Sequence, residues 1–439
     1  MAAKTVTAEN RTLLAGGGLL AGAMFAANAG NYLLNVVLGR WLTTGEFADA
    51  NLMVTLMLLV TAIAVSLQLI AARFAGMNAV TNDTEATAAM ARGLERSALV
   101  GGFVVALVLI AGATWWRDFF NSESAWPFVV LGVGMPAYLV QAVGRGVLQG
   151  QLDFRPLAGT FIYEMVVRVV LGVALVALGL GVLGATIALT ASFIATWWSV
   201  QRALGLGVRG FSSVAGSVFS RRKPEIVAYA GPVAVLLLGQ IIINNGDVLI
   251  SKQSLDPTNA GRYAAIALVG RAVFFLSWSV ATTLFPAATQ RQERGGNADG
   301  LLYAGLAAVV GLGLAAIVGA RLLGGIVLGR VFGADYADVS VPLAWYAFAT
   351  AVFAMANLVV SHHLALGQIR EAVLMLGGAV LQTVLLVAAR GSTDELISAQ
   401  VLAMLIVLAV VSISHMERRF GHRAVTKSPA TSRPGVRST

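Results

Sequence analysis

The sequence has no cysteine, few charges and only ten prolines in 439 residues. Without cysteine there is no disulfide framework and no thiolate metal site, and the redox compartment is left open. Charged residues make up 12% of the chain, against roughly a quarter in soluble domains. There is too little polar surface here to clothe a water-exposed body. No Walker motif, metal-ligand cluster or spaced nucleophile and base is present, which argues against an autonomous ATPase and points away from an enzyme. The adjacent His362 and His363 do not share a helical face and give no metal site.

What the chain does have is long apolar runs, with 58% hydrophobic residues and a mean hydropathy of +0.80. The reading is an all-α polytopic membrane protein of about twelve transmembrane helices. The runs fall near 13–38, 47–72, 97–116, 126–148, 157–179, 182–204, 226–250, 264–288, 299–320, 340–363, 371–389 and 396–414. Backbone groups left unpaired in hydrocarbon are too costly for these segments to be anything but helical. The first run is too long for a signal-peptide core and is read as a retained span. The 48 glycines scattered through apolar sequence suit packed membrane helices.

Basic residues set the expected orientation. With the N-terminus inside, 21 Lys and Arg fall in inner connections and tails and seven in outer ones, leaving Arg168 and Arg271 well inside spans. Both termini are therefore expected in the cytoplasm. The net charge of +9 is then an orientation signal and a contact for anionic lipid headgroups, not a nucleic-acid footprint.

The most basic internal connection, GVRGFSSVAGSVFSRRKPE, divides the chain. The expected organisation is an N-terminal six-helix lobe (1–206), a cytoplasmic basic linker (207–225), a C-terminal six-helix lobe (226–415) and a disordered basic tail (416–439). An even number of spans in each lobe makes the two parallel, as in transporters with an axis along the membrane normal. A weak repeat supports this, with Gly45 and Phe47 matching Gly261 and Tyr263 at a shift of 216 residues.

Three stretches carry a family resemblance: NYLLNVVLGRWLTTGEFADANLMVTLMLL, INNGDVLISKQSLDPTNAGRYAAIALVGRAVFFLSWSVATTLFPAATQR and VLGRVFGADYADVSVPL. They resemble the multidrug/oligosaccharidyl-lipid/polysaccharide exporter superfamily, especially its polysaccharide-transporter branch of Wzx-like lipid-linked oligosaccharide flippases. The resemblance implies two six-helix bundles around a central cavity with alternating inward and outward access. The implied activity is movement of a polyprenyl-diphosphate-linked glycan across a bacterial cytoplasmic membrane, with envelope glycosyltransferases or a polymerase as partners. The lipid II flippase branch usually has fourteen spans, and no final pair is found here. A multidrug-type exporter is the alternative, and an integral-membrane glycan polymerase or ligase a further one. The sequence names no cofactor, leaves proton or sodium coupling open and does not set the oligomeric state.

Polar groups inside apolar runs are the candidate site. Glu164 and Arg168, four residues apart, share a helix face, either as an internal structural pair or as a cavity lining. Asp247, beside Asn244 and Asn245, demands a partner, a proton or a cation. Arg271 is the first candidate for a phosphate contact, with snorkelling to the interface as the other reading. Gln141 and Arg145 are read either as meeting substrate from the inner side or, for Arg145 equally, as part of the inner-positive bias. Arg40, Glu46, Asp49 and Arg262 are read as an outer entrance or as ordinary rim charges.

Overall fold

The computed structural model describes the backbone of residues 2–81, 83–205, 213–274, 277, 299–365 and 370–426. It is helical throughout. In chain order the helices are α1 (Ala2–Trp41), α2 (Thr44–Val80), α3 (Thr84–Ala111), the short α4 (Ala113–Phe119), α5 (Trp126–Gly150), α6 (Phe154–Ala177) and α7 (Gly181–Ala203). The C-terminal half continues with α8 (Ser213–Ser254), α9 (Pro257–Gly270), α10 (Asp299–Val331), a 3-10 turn (Ala334–Val339), α11 (Ser340–Ala365), α12 (Arg370–Ala388) and α13 (Thr393–Thr426).

Nine helical stretches among the described residues are long and apolar enough to cross a membrane. A shorter apolar helix, Val373–Ala388, lies at the expected eleventh span. The first expected span falls within the 40-residue α1, and most of the eighth lies outside the described residues. Two boundaries differ from the sequence reading. Helix is continuous from Ser213, so most of the segment expected as a linker is the start of α8. At the other end α13 runs on to Thr426, well into the segment expected to be disordered. In both places the helix runs through residues of low helix propensity, Gly216 and Pro224 in the first and Gly421 in the second.

Local chemistry explains where the helices begin. Thr43 caps α2 in a reciprocal box, its hydroxyl accepting from the Glu46 amide at 3.2 Å while the Glu46 carboxylate accepts from the Thr43 amide at 2.9 Å. Asp256 caps α9, accepting the Thr258 and Asn259 amides at 3.1 Å each, with Pro257 at the first helical position. The Asn259 amide in particular holds the Asp256 carboxyl below its usual range. The cap therefore persists at ordinary pH and is lost only as pH falls through that depressed value.

Packing follows the small residues. α5 is enclosed by α2, α3 and α7, while α6 packs on α1 and α7. A side chain at Gly146 or Gly150 of α5 would place its Cβ 2.2 Å from the Gln68 or Ala72 carbonyl oxygen of α2. The glycine pair lets the two backbones meet, the usual means of close association where lipid offers no hydrophobic drive. Pro136 does not end α5, which continues to Gly150. In the C-terminal half α11 packs on α10 and α13, and α8 on α12. The halves meet where α2 lies against α8 and α9, and α3 against α8.

By the basic-residue bias, the α1–α2 and α8–α9 turns are expected at the outer end. A cysteine at the exposed Thr258 is expected to react with a membrane-impermeant maleimide from outside. One placed within 427–439 is expected to react only after permeabilisation. Both labelling from the same side would contradict that orientation.

Candidate functional site

In the N-terminal half the sequence pair becomes a triad. Glu164 accepts from Arg168 one turn along α6 and from Arg145 of α5, the latter at 2.7 Å. The three side chains are only 8 to 12% exposed. Arg145 also donates through Nε and Nη2 to the Thr160 hydroxyl and carbonyl at 3.1 and 3.0 Å, and its guanidinium lies 4.0 Å from the Phe161 ring centroid. Arg168 donates to Ser192 of α7 and Asn31 of α1, both at 3.2 Å. Four helices thus fix two guanidinium groups around one carboxylate. One negative charge balances one positive, and the triad keeps a net charge of one cation inside the membrane. Charges there persist only when partnered or facing a polar space.

Gln141 lies one turn from Arg145 on α5. It is 1% exposed, and among the described residues neither its amide oxygen nor its nitrogen has a partner. An unpaired buried amide is costly, so this face of α5 presents unused hydrogen-bonding capacity beside the cationic triad. Tyr138, one turn further, bonds the Thr61 hydroxyl of α2 at 2.7 Å.

The C-terminal half holds a second, closed cluster. Asp247 of α8 is fully buried and takes Arg271 on one oxygen at 3.0 Å. Its other oxygen accepts from the Tyr263 and Tyr346 hydroxyls at 3.1 and 2.7 Å. Arg271, directly after α9, further donates to Asn245 at 3.0 Å and to the Tyr346 hydroxyl at 3.3 Å. Gln400 of α13 is within hydrogen-bonding distance of Tyr263. The partner that Asp247 demands is therefore Arg271, and the pair carries no net charge. Asn244 stands apart, its amide donating back to the Gln240 carbonyl.

This neutral cluster should matter most for folding. Asp247→Asn leaves the Arg271 guanidinium without its counter-charge and should cost about 3 kcal/mol of stability. Tyr346→Phe removes one hydroxyl and should cost about 1 to 2 kcal/mol. Thermal denaturation of the purified variants in detergent checks the ranking. Equal melting temperatures for Asp247→Asn and the parent protein would contradict it.

The four residues read as an outer entrance sit where that end is closed. Arg40 reaches across to the Arg330 carbonyl at 2.8 Å. Asp49 is 2.9 Å from the Lys252 ammonium on the other half. Glu46 belongs to the α2 cap, and Arg262 bonds the Asp335 carbonyl at 2.9 Å. Beneath them Phe47, Phe332 and Tyr336 form one aromatic group, with centroid separations of 5.6 to 6.3 Å.

Sequence reasoning missed Lys252, Tyr263, Tyr346 and Asn31 as polar partners. Lys252 lies between two expected spans and reads as a loop charge, and the tyrosines read as apolar because only their hydroxyls are polar. His363 and His415 also meet, with ring nitrogens 3.0 Å apart, at a contact between α11 and α13 that no local spacing foretells.

Residues 37–341 match the family model described as polysaccharide biosynthesis protein. The chain belongs to this family. A curated relative, an uncharacterized protein of Mycobacterium tuberculosis strain H37Rv, is 26% identical over 261 residues, and the match spans 58% of each chain. Among solved structures, the inward-facing conformation of a multidrug resistance MATE family transporter of the MOP superfamily superposes with a TM-score of 0.75 at 14% identity, covering 91% of this chain and 96% of that one. The inward closed conformation of the lipid II flippase MurJ gives 0.73 at 12% identity, covering 91% and 87%. The chain therefore shares the fold of these two structures.

Proposed function

We propose that this family member moves a polyprenyl-diphosphate-linked oligosaccharide or polysaccharide precursor from the inner to the outer leaflet of a bacterial cytoplasmic membrane. Twelve helices in two parallel six-helix lobes would expose a central cavity to each side in turn, with both termini cytoplasmic. The observation that carries the reading is the net positive Arg145–Glu164–Arg168 triad on the N-terminal half, next to an amide with unused donors and acceptors at Gln141. An anionic diphosphate is the head group that such a face favours, through charge-assisted hydrogen bonds to guanidinium. The membership in a polysaccharide biosynthesis family supports a glycan as the rest of the head.

The triad thus takes the phosphate-binding role that Arg271 held in the sequence reading, since Arg271 is already neutralised by Asp247. Gln141 and Arg145 keep their roles as substrate contacts. The hydrocarbon tail would stay in lipid, so only the head crosses the low-dielectric layer. Cationic contacts lower that barrier without supplying direction, which comes from an ion gradient or from consumption of the product outside.

A multidrug-type small-molecule exporter is the second reading, and the likeness to solved structures favours it more than the first, with a TM-score of 0.75 to the multidrug MATE transporter against 0.73 to the flippase. Head-group charge separates them. Purified protein is expected to bind polyprenyl diphosphate more tightly than the uncharged polyprenol by about tenfold or more, on the scale of one or two charge-assisted hydrogen bonds. Arg145→Gln should remove that difference. Equal binding of diphosphate and polyprenol, with tighter binding of an organic cation, would replace the first reading by the second.

A further inference from the structure

Among the described residues, one buried ion pair joins the halves at the outer end. Asp49 of α2 and Lys252 of α8 are 2.9 Å apart, with side chains only 6 and 3% exposed. Each is held by partners from the loop before α5. The Ser122 hydroxyl donates to Asp49 at 2.7 Å and the Glu123 amide at 3.4 Å. Lys252 donates to the Asn121 carbonyl at 3.1 Å, and the Asn121 amide donates across to the Gln253 carbonyl at 3.0 Å. Asn121 has a φ of 49°, a left-handed conformation that asparagine tolerates better than most residues, and it aims that carbonyl at the ammonium. A cavity of 180 Å³ lined by Glu46, Asp49, Ser122 and Glu123 lies on the same side. Below the pair, Phe47, Ala48, Leu255, Ala260 and Tyr263 belong to a single apolar cluster drawn from both halves.

We propose that Asp49 and Lys252 form a latch that holds the outer end closed and parts once in each transport cycle. A buried ion pair suits a reversible joint. Its mutual attraction is largely offset by the loss of hydration on closing, so the intact pair biases closure only weakly. The charges regain water when the halves separate at the outer surface. A lone charge has no such balance, because closing would bury it without a partner. Removing either side should therefore open the outer end, and removing both should open it less than the two separate effects combined.

The absence of cysteine allows a direct test. Ala48, 2% exposed in the shared cluster, is replaced by cysteine as a reporter, and its reaction with a membrane-impermeant maleimide added outside is timed. Lys252→Met and Asp49→Asn should each raise the labelling rate about tenfold or more, as expected when a buried pair loses one partner. Ser122→Ala, a milder change, should raise it about threefold, and Lys252→Arg should leave it near the parental rate. The double variant should label more slowly than independent effects would give. Unchanged labelling in Asp49→Asn and Ser122→Ala, or additive effects in the double variant, would overturn the latch. The latch rests on alternating access but not on the cargo, and labelling needs no substrate. Ungated labelling in a chain that still moves glycan lipid would discard the latch alone, whereas gated labelling in a chain that moves none would retain the latch and discard the cargo.

Discussion

Joining positions 45 and 257 by a disulfide is expected to reduce transport to about a tenth of the parental rate or less, because the step that opens the outer end would be blocked. A Cβ built at Gly45 lies 3.1 Å from the Pro257 Cβ across the outer closure. Disulfides need about 3.5 to 4.5 Å between these atoms, so a shift of a few tenths of an ångström accommodates the bond. The Gly45→Cys/Pro257→Cys protein has no other thiol to mispair with. Oxidation should stop transport, reductant should restore it, and each single cysteine variant should be indifferent to both. Full transport by quantitatively cross-linked protein would show that the outer end does not open during the cycle.

The second large effect concerns the N-terminal triad. Arg145→Gln should lower transport of a diphosphate-linked substrate about tenfold to a hundredfold at equal membrane abundance, the range of one charge-assisted contact. Arg145→Lys should recover only part of the loss. Lysine keeps the charge but cannot reach Thr160 and Glu164 together with one fork, as the guanidinium does. Glu164→Gln separates folding from transport, because it leaves two arginines without their carboxylate and should cost about 3 kcal/mol of stability. The comparison with Arg271→Gln is the decisive contrast. That change unpairs the fully buried Asp247, so its main effect should fall on melting temperature, with less on transport per folded molecule. A greater transport loss per folded molecule in Arg271→Gln than in Arg145→Gln would return the phosphate contact to the C-terminal half.

Much of the fold was legible because lipid imposes a simple rule on the sequence. Apolar runs longer than a bilayer is thick must be helices, and nine such helices stand among the described residues. The helix ends were less legible. Gly216, Pro224 and Gly421, together with charge and low hydropathy, read as an end of helix, yet the helix runs through them, so those signals marked the membrane boundary and not the helix boundary. Within the site, the Glu164–Arg168 pair was readable because its partners are one turn apart on one helix. Arg145 was seen as an inner-side contact, but its pairing with Glu164 depends on how α5 lies against α6, which local spacing does not encode. Lys252 shows the same limit more sharply. By position it belongs to an outer connection, yet its ammonium is buried against Asp49, a residue from the opposite half of the chain. The Tyr263 and Tyr346 hydroxyls were hidden because an aromatic residue in an apolar run counts as apolar until its polar end is located.

The central claim is passage of an anionic, lipid-linked glycan head from one leaflet to the other. It is tested most directly in proteoliposomes loaded with a polyprenyl-diphosphate oligosaccharide, by timing its appearance in the outer leaflet with a membrane-impermeant lectin, protein orientation being fixed by labelling at Thr258. Movement is expected to require the protein, to slow strongly with Arg145→Gln and to stop on oxidation of the Gly45→Cys/Pro257→Cys variant. Movement no faster than in protein-free vesicles, under imposed proton or sodium gradients as well as without them, together with export of an organic cation by the same preparation, would contradict it.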